Sequence, residues 1–215
     1  MTEQYGFRLD ALSVLLKRSS DEGDNPLSIW GVRQQVDRWK WAEWVRSQVV
    51  LGSTWVTPTA RGMAQAGLRF PSWRMPATKL SHCHAVNVVR LWYEASPSRV
   101  AQQGRWLSER LMFRDRGNED WHVPDAALVP SSGSGVWAVE VELTPKHRPR
   151  YADEVFGRLQ PHVAGVLYLC PPALVERLRR DVTAAAQNCR PDLQVFVRAL
   201  PEVPGLTYGG HGGIW

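Results

Sequence analysis

Cysteine is scarce in this chain of 215 residues. The three cysteines, Cys83, Cys170 and Cys189, are odd in number and far apart, whereas disulfide frameworks and zinc sites use closely spaced pairs. The spacing argues against both and predicts buried, reduced thiols in a cytoplasmic protein. His82-Cys83-His84 is a compact His/Cys cluster. However, adjacent residues on a helix or strand point in different directions, so we do not expect zinc there.

Long apolar runs are also missing. The sequence has no uninterrupted apolar stretch approaching the ~18 residues that indicate a transmembrane helix. The N-terminal residues MTEQYGFRLD lack the apolar core of a secretory signal. We therefore expect no membrane partner and a cytoplasmic location.

The charge is unbalanced toward cations. The net charge is +5 and the sequence pI is about 9.4. This favours a polyanionic partner, with double-stranded DNA as the first candidate. An arginine-rich composition also follows from genomic base bias, so charge by itself does not decide the partner.

Two helices are predicted near the N-terminus. Residues 7–18 carry apolar side chains at close to helical spacing. After a polar loop, Ser28 is a good N-cap for the segment IWGVRQQVDRWKW. This second helix is expected to have an inward apolar stripe and an outward polar face. The stripe comprises Ile29, Val32, Val36 and Trp39, and the outward face comprises Arg33, Gln34, Asp37, Arg38 and Lys40.

The next segment completes the layout of a winged helix. WVRSQVVLGSTWVTPT contains two extended runs around residues 51–53, which predicts a hairpin; a short helix over residues 59–66 follows and ends at Gly67. Recognition helices of this kind enter the major groove, where Arg reads guanine and Gln reads adenine. The alternatives are a winged helix used only for protein contacts, or a solvated face that is merely basic. The residues expected to contact DNA are Arg33, Gln34, Arg38, Lys40 and Arg46.

The predicted domain plan has four parts. Residues 1–70 form the winged-helix domain, residues 71–98 a linker and connecting helix, residues 99–200 a second domain, and residues 201–215 a glycine-rich flexible tail. In the second domain the predicted order is helix, strand, strand, helix, strand, helix, strand. That order indicates an α/β layout with a mixed sheet. The apolar run VAGVLYLC is expected to be a strand buried on both faces.

The stretch over residues 122–146 carries the candidate chemistry. Two apolar and β-branched runs flank the turn sequence PSSGSG, a pattern typical of a β-hairpin. A turn centred on residues 132–133 puts Asp125 opposite Glu140, with β-carbons about 4.5–5.5 Å apart, and Glu142 on the same face. A divalent cation with oxygen ligands, such as Mg²⁺, would offset the repulsion. In another register the acids would instead be solvated.

Pro124-Asp125 followed by Glu140-Val141-Glu142 resembles the PD-(D/E)XK motif of the restriction-endonuclease-like superfamily. The chain as a whole is similar to the actinobacterial replication-relaxation family, which joins a winged helix to a restriction-endonuclease-like domain. The matching segments are WVTPTARG, LSHCHAVNVVRL, WLSER, HVPDA and WAVEVELTPKHRPR, spanning roughly residues 26–170. The resemblance implies an α/β fold (α+β overall): a winged helix-turn-helix followed by an αβββαβ core with a mixed sheet.

The resemblance also implies roles for individual residues. Asp125 and Glu140 would ligate Mg²⁺, with Mn²⁺ as a substitute, and Glu109 would be an accessory ligand or a hydrogen-bond acceptor. Glu142 stands where the motif has lysine, so it would orient water or ligate a second metal. Lys146, four residues on, is the candidate replacement lysine, and a solvated lysine is the alternative. The residues that would contact the DNA backbone beyond it are His147, Arg148, Arg150 and Tyr151.

These roles together predict a DNA-binding, Mg²⁺-dependent endodeoxyribonuclease that acts in plasmid or mobile-element DNA processing. The missing motif lysine leaves an alternative, which is a non-catalytic DNA-binding or assembly factor that keeps the nuclease fold. By analogy with proteins of this type, a homodimer and partner proteins of a DNA-processing complex are further expectations.

Overall fold

The computed structural model describes residues 6–17, 28–50, 52–70, 76–95, 104–133, 135–144, 146 and 150–202. The chain divides into two compact units between Trp92 and Tyr93. Within the described ranges, no helix combines the length and apolar character that a membrane span requires. All but the first two residues of the predicted tail lie outside the described residues.

The first unit is built from a small antiparallel sheet and helices. Its three strands have the spatial order β1-β3-β2. The predicted helix over residues 7–18 is therefore right only from Leu9, because Phe7 and Arg8 form a short strand against Trp55 and Val56. The elements are β1 (Phe7–Arg8), α1 (Leu9–Lys17), α2 (Ile29–Trp41), β2 (Val45–Val50), β3 (Ser53–Pro58), α3 (Ala60–Gln65), a 3₁₀ turn (Ala77–Lys79) and α4 (Leu80–Glu94).

Helix α2 begins where the sequence predicts. The Ser28 Oγ accepts a hydrogen bond from the Gly31 N–H at 3.2 Å, which satisfies one of the unpaired donors of the first turn. Val32 and Val36 are buried, as expected for the inward stripe. Ile29 was predicted to point inward as well, but this is wrong. It lies at the N-terminal end of the helix, outside the core cluster, and is 45% exposed.

Strands β2 and β3 form the antiparallel hairpin predicted after α2. Val50 pairs with Ser53, so the connection is a two-residue turn. Helix α3 then begins after its N-cap Thr59, whose side chain accepts from the Gly62 N–H at 3.0 Å. The helix ends at the C-cap Ala66, one residue before Gly67. Both ends of this short helix therefore agree with the sequence prediction.

Helix α4 packs within the first unit up to Trp92. The Asn87 side-chain amide donates to the Gly6 carbonyl at 2.6 Å, a buried hydrogen bond. The Trp55 and His84 rings meet edge to face, with centroids 6.1 Å apart. Leu91 joins the core cluster formed by α1, α2 and the sheet. The helix predicted within residues 71–98 is thus present and packs on the small sheet and its helices.

The second unit is a mixed five-stranded sheet with the order β4-β5-β6-β7-β8. Strand β5 is antiparallel to both neighbours, whereas β6, β7 and β8 are parallel. The prediction of a mixed sheet is confirmed. The elements are β4 (Arg105–Ser108), α5 (Glu109–Arg116), β5 (Ala126–Val129), β6 (Val136–Val141), a π-helical turn (Tyr151–Val155), a 3₁₀ turn (Phe156–Arg158), β7 (Val163–Cys170), a 3₁₀ turn (Pro172–Leu174), α6 (Val175–Cys189) and β8 (Gln194–Ala199).

Strand β7 is the centre of the second core. It pairs with β6 on one edge and β8 on the other. Six of its eight residues are buried, which explains why its sequence is apolar almost throughout. Val166 and Tyr168 on one face are fully buried against Tyr151, Phe156 and α6. In place of the helix predicted between the hairpin and the next strand, the chain forms only the π-helical and 3₁₀ turns given above.

The three cysteines are all free thiols. Cys170 is buried and Cys83 is half-buried, in line with the prediction. Cys189 is exposed, so the expectation of a buried thiol is wrong there. It is the last residue of α6, where the amphipathic helix ends at its exposed C-cap region.

Gly104 provides a test of how tightly β4 is held in this sheet. Its φ is +90°, and an added Cβ would overlap the Val129 carbonyl oxygen. Gly133 has a φ of +70° with open space around it. We expect Gly104→Ala to lower the unfolding free energy by about 3 kcal/mol or more and Gly133→Ala by only ~1 kcal/mol. Urea unfolding measures both, and equal losses would contradict the tight contact.

Candidate functional site

The hairpin of β5 and β6 has the register that brings the acids together. Ala126 pairs with Val139 and Ala127 with Ala138. The same register, continued by one residue, puts Asp125 opposite Glu140, so this prediction is confirmed. Directly opposed residues share a face of the sheet. The Asp125 and Glu140 side chains therefore lie on one side of the hairpin.

Asp125 and Glu140 also pair with residues on the outer side of each strand, so the row extends across the sheet. On one side, the Glu109 N–H donates to the Asp125 carbonyl at 3.2 Å. On the other, Glu140 pairs with Tyr168 in the parallel β6–β7 ladder. We call these four residues, Glu109, Asp125, Glu140 and Tyr168, the acid row. It crosses the sheet from the start of α5 to β7.

Two carboxylates of the site have defined partners. One oxygen of Asp125, Oδ2, accepts a hydrogen bond from the Val141 N–H at 2.7 Å. The Glu140 Oε1 lies 2.6 Å from the His122 Nε2. Glu140 is only 5% exposed, so a polar partner is what makes its burial tolerable. His122 is therefore part of the site, although it was not among the predicted site residues.

Glu142 and Lys146 form the second half of the site. Glu142 extends the pairing with β7, because its N–H donates to the Leu169 carbonyl at 2.9 Å. The Lys146 Nζ lies 2.9 Å from the Glu142 Oε2. The Lys146 N–H in turn donates to the Tyr151 hydroxyl at 3.0 Å. The proposed replacement lysine is thus held against the acid that occupies the motif lysine position.

The pKa values of these groups follow from burial and from their mutual charges. Burial raises the pKa of Glu140; the hydrogen bond to His122 lowers it, and the charge of Asp125 raises it further. Burial also raises the pKa of Glu142, against the effect of Lys146. For Lys146, burial acts to lower the pKa, but the negative charge of Glu142 and its neighbours outweighs it and raises that pKa. The site therefore combines two glutamates whose pKa values are raised with one lysine whose pKa is also raised.

Tyr168 contributes an unsatisfied hydroxyl to the acid row. The residue is fully buried, and within the described part of the chain its Oη has no hydrogen-bond partner. Burial, followed by the charge of Glu140, raises the pKa of this phenol well above its usual value. A buried hydroxyl without a partner costs about 1–3 kcal/mol. A water or a bound group next to Glu140 would remove that cost.

The oxygen chemistry of the acid row fits magnesium. Mg²⁺ is usually bound by one or two carboxylates together with waters and substrate phosphates, and Asp125 with Glu140 supplies such a pair. Within the described ranges, no three His, Cys, Asp or Glu side chains lie close enough together to hold a metal ion. The described residues therefore offer an ion at most two carboxylates here, and not a cage made only of protein ligands.

The predicted DNA-contacting residues of the first unit lie on an open surface. Arg33, Gln34, Arg38 and Lys40 are all exposed on α2, as expected. Lys40 pairs with Asp37 at 3.2 Å. The described residues include no ion-pair partner for Arg33 or Arg38. Their charges are available to an external anion.

The remaining predicted DNA contacts have other neighbours. Arg46 is exposed on β2, and its Nε donates to the Thr57 Oγ1 at 3.2 Å. Arg150 is exposed and pairs with Glu154 at 2.9 Å. Arg148 and its neighbour His147 lie outside the described residues.

Two functional candidates, His122 and Tyr168, were missed in the sequence. His122 lies three residues before Asp125 and could have been found by asking which polar side chain precedes the hairpin acids. Tyr168 had no such signal. It faces Glu140 only because β6 and β7 pair in parallel, and the register between strands joined by a crossover is not encoded in a turn.

No protein-family model, no curated protein sequence and no solved structure matches this chain. Its function is therefore inferred from the contacts, burial and charges of the described residues.

The buried carboxyl of Glu140 predicts a pH-dependent stability. Its pKa is raised in the folded protein, so the contribution is present below the ordinary Glu pKa of about 4.3 and is lost as pH rises through the folded value. We expect Glu140→Gln to raise the Tm at pH 7 in EDTA by about 2–4 °C, the shift of ~1 kcal/mol for a chain of this size. The gain should vanish near pH 4.

Glu154→Gln is the matched control, because Arg150 lowers the pKa of that exposed carboxyl. This variant should not be stabilised at pH 7. Thermal unfolding followed by circular dichroism at several pH values makes the comparison. A Glu140→Gln effect that is the same at pH 4 and pH 7 would contradict the buried, titrating carboxyl.

Proposed function

We propose that this protein is a metal-dependent phosphodiesterase that acts on double-stranded DNA. The observation that carries the proposal is the hairpin register, which puts Asp125 opposite Glu140 on a covered sheet face. Like charges directly opposed on a strand pair are unfavourable. Glu140 is buried and Asp125 is half-buried, so a cation bound between them would offset the repulsion. The resemblance to the replication-relaxation family and its restriction-endonuclease-like core is consistent with this proposal.

Asp125 and Glu140 would hold the Mg²⁺ ion, with Mn²⁺ as a substitute. A bound ion there supplies two effects, polarisation of the scissile phosphate and a lower pKa for an attacking water. His122 orients the Glu140 carboxylate through the 2.6 Å contact. The Glu109 backbone, through its bond to the Asp125 carbonyl, fixes where the first ligand stands. Glu109 is in this way a positioning residue for the metal ligand.

Lys146 supplies the positive charge that the motif lysine would otherwise give. Glu142 holds its ammonium at 2.9 Å, and the acidic surroundings keep that ammonium protonated. A fixed cation in a partly buried site stabilises negative charge that develops on the phosphate. Glu142 therefore acts here as the positioning residue for Lys146.

The first unit would provide affinity for the duplex. Its outward helix α2 carries Arg33 and Arg38, whose charges are not neutralised by described neighbours, next to Gln34. Lysine and arginine contacts to phosphates supply most non-specific DNA affinity, and Arg or Gln in the major groove reads guanine or adenine. The basic net charge of +5 acts in the same direction. Plasmid or mobile-element DNA processing is the process that the resemblance suggests.

A non-catalytic DNA-binding or assembly factor is the second candidate function. The observation in its favour is that Glu140 and Glu142 already have cationic or polar partners, His122 and Lys146. Calorimetric titration with Mg²⁺ separates the two functions. DNA binding without measurable Mg²⁺ binding favours the second.

Plasmid cleavage tests the catalytic centre. Purified protein with Mg²⁺ or Mn²⁺ should nick or linearise supercoiled plasmid, and Asp125→Asn should abolish the products. Lys146→Met should lower the turnover by about 10²–10³-fold, the effect of removing one charge-stabilising donor. Glu176→Gln, an exposed change on α6, is the control and should cleave normally. Cleavage that survives Asp125→Asn would exclude this centre.

DNA affinity should depend steeply on salt. Each phosphate contact adds about −0.9 to the slope of log K against log[salt], so Arg33→Ala and Arg38→Ala should each weaken binding and make the slope shallower by about that amount. Arg61→Ala is the matched control, since that exposed guanidinium already pairs with Glu43 at 2.6 Å. Fluorescence anisotropy with a labelled duplex at several salt concentrations measures the slopes. Salt-independent affinity would contradict the proposed surface.

A further inference from the structure

A cavity of about 330 Å³ in the second unit lies on the same sheet face as the acid row. Its floor is the line of small and apolar residues Leu107, Ala127 and Ala138, which pair directly across β4, β5 and β6. Two alanines on adjacent strands leave room that larger side chains would fill. We propose that this cavity binds a nucleobase, and that the base belongs to the DNA strand whose phosphate reaches the acid row. The second part rests on the proposed function.

The spacing between the floor residues and the acid row allows a base to bind in the cavity while its phosphate lies at the acid row. Leu107 precedes Glu109 by two residues, Ala127 follows Asp125 by two, and Ala138 precedes Glu140 by two. Two residues along a strand span about 6.6–6.8 Å. A base in contact with the floor residues would therefore lie about 6.6–6.8 Å from the carboxylates, measured along the strands. One residue, His122, borders the cavity and also holds Glu140.

The polar lining has the chemistry to recognise the edge of a base. The ring N–H of Trp121 is buried and has no hydrogen-bond partner among the described residues, so it is a donor that lacks an acceptor. Gln160 and Glu119 also line the cavity and offer acceptors to an exocyclic amine. A planar ligand with apolar faces and a mixed donor and acceptor edge satisfies all three. The carboxylates of Asp115 and Glu119 repel a phosphate, which leaves the phosphate to lie outside, at the acid row.

The wall of the cavity is held in place. The His122 N–H donates to the Arg158 carbonyl at 2.7 Å, and the Arg158 guanidinium both donates to the Asp120 carbonyl at 3.1 Å and pairs with the Asp120 carboxylate. The Arg116 guanidinium donates to the Trp121 carbonyl at 3.1 Å. Hydrogen bonds with Arg116 and Arg158 therefore hold the segment that carries Trp121 and His122 in place. The volume is within the range of about 300–1,000 Å³ that is usual for ligand sites.

Direct binding of the four deoxynucleosides tests the cavity without any cleavage. Isothermal titration in EDTA should show saturable binding of at least one deoxynucleoside to the wild-type protein. Ala127→Leu fills the floor and should weaken that binding at least tenfold, whereas Ala184→Leu, the same substitution on the exposed side of α6, should leave it unchanged. Trp121→Phe keeps an aromatic ring but removes the indole N–H, so it should weaken binding several-fold even if Ala127→Leu does not fold. No saturable binding of any deoxynucleoside would overturn the proposal.

A duplex that contains 2-aminopurine distinguishes a base of DNA from a free nucleoside. Fluorescence of 2-aminopurine rises when the base leaves its stack, and base extrusion costs only a few kcal/mol. The wild-type and the cleavage-deficient Asp125→Asn proteins should both raise the fluorescence in EDTA, and Ala127→Leu should not. Nucleoside binding without this rise assigns the cavity to free nucleosides and refutes the DNA source.

The two proposals fail in different ways. Plasmid cleavage without base binding removes the cavity proposal and keeps the phosphodiesterase. Base binding without cleavage keeps the cavity and removes the catalytic function.

Discussion

Burial of carboxylates on the covered face of a sheet is the constraint on which the second unit depends. Glu140 and Glu142 are 5% and 6% exposed, respectively. An uncompensated buried ion costs several kcal/mol, so each acid needs a partner brought from outside its own strand. His122 comes from the segment before β5, and Lys146 comes from the segment after β6. Contacts with the buried carboxylates of Glu140 and Glu142 thus hold His122 and Lys146 in place.

This constraint also explains the irregular helical turn after the hairpin. Tyr151 opens the π-helical turn, is fully buried, and accepts a hydrogen bond from the Lys146 N–H. Its ring meets Tyr168 edge to face, with centroids 6.1 Å apart. One tyrosine therefore connects the loop that delivers the lysine to the central strand.

The two units carry opposite electrostatic character at their candidate surfaces. In the first unit, α2 presents cations that no described neighbour neutralises. In the second, Glu140 of the acid row contacts the His122 imidazole, and the neighbouring Glu142 pairs with the Lys146 ammonium. An anionic polymer is attracted by the first arrangement and, without a cation, repelled by the second. In the proposed function, a metal ion bound by Asp125 and Glu140 would offset the repulsion between the acids of the second unit and a phosphate.

The sequence by itself determined the local features. Ser28 and Thr59 cap their helices, the apolar β7 is buried between two strands, and the turn of the β5–β6 hairpin sets the opposition of Asp125 and Glu140. Each of these depends on residues close in the chain. Tertiary structure alone decided that Tyr168 faces Glu140, that His122 and Lys146 reach the acids, and that alanines form a cavity floor beside them. Parallel pairing through a crossover and the docking of irregular segments depend on how the whole core packs, and no local pattern encodes that packing.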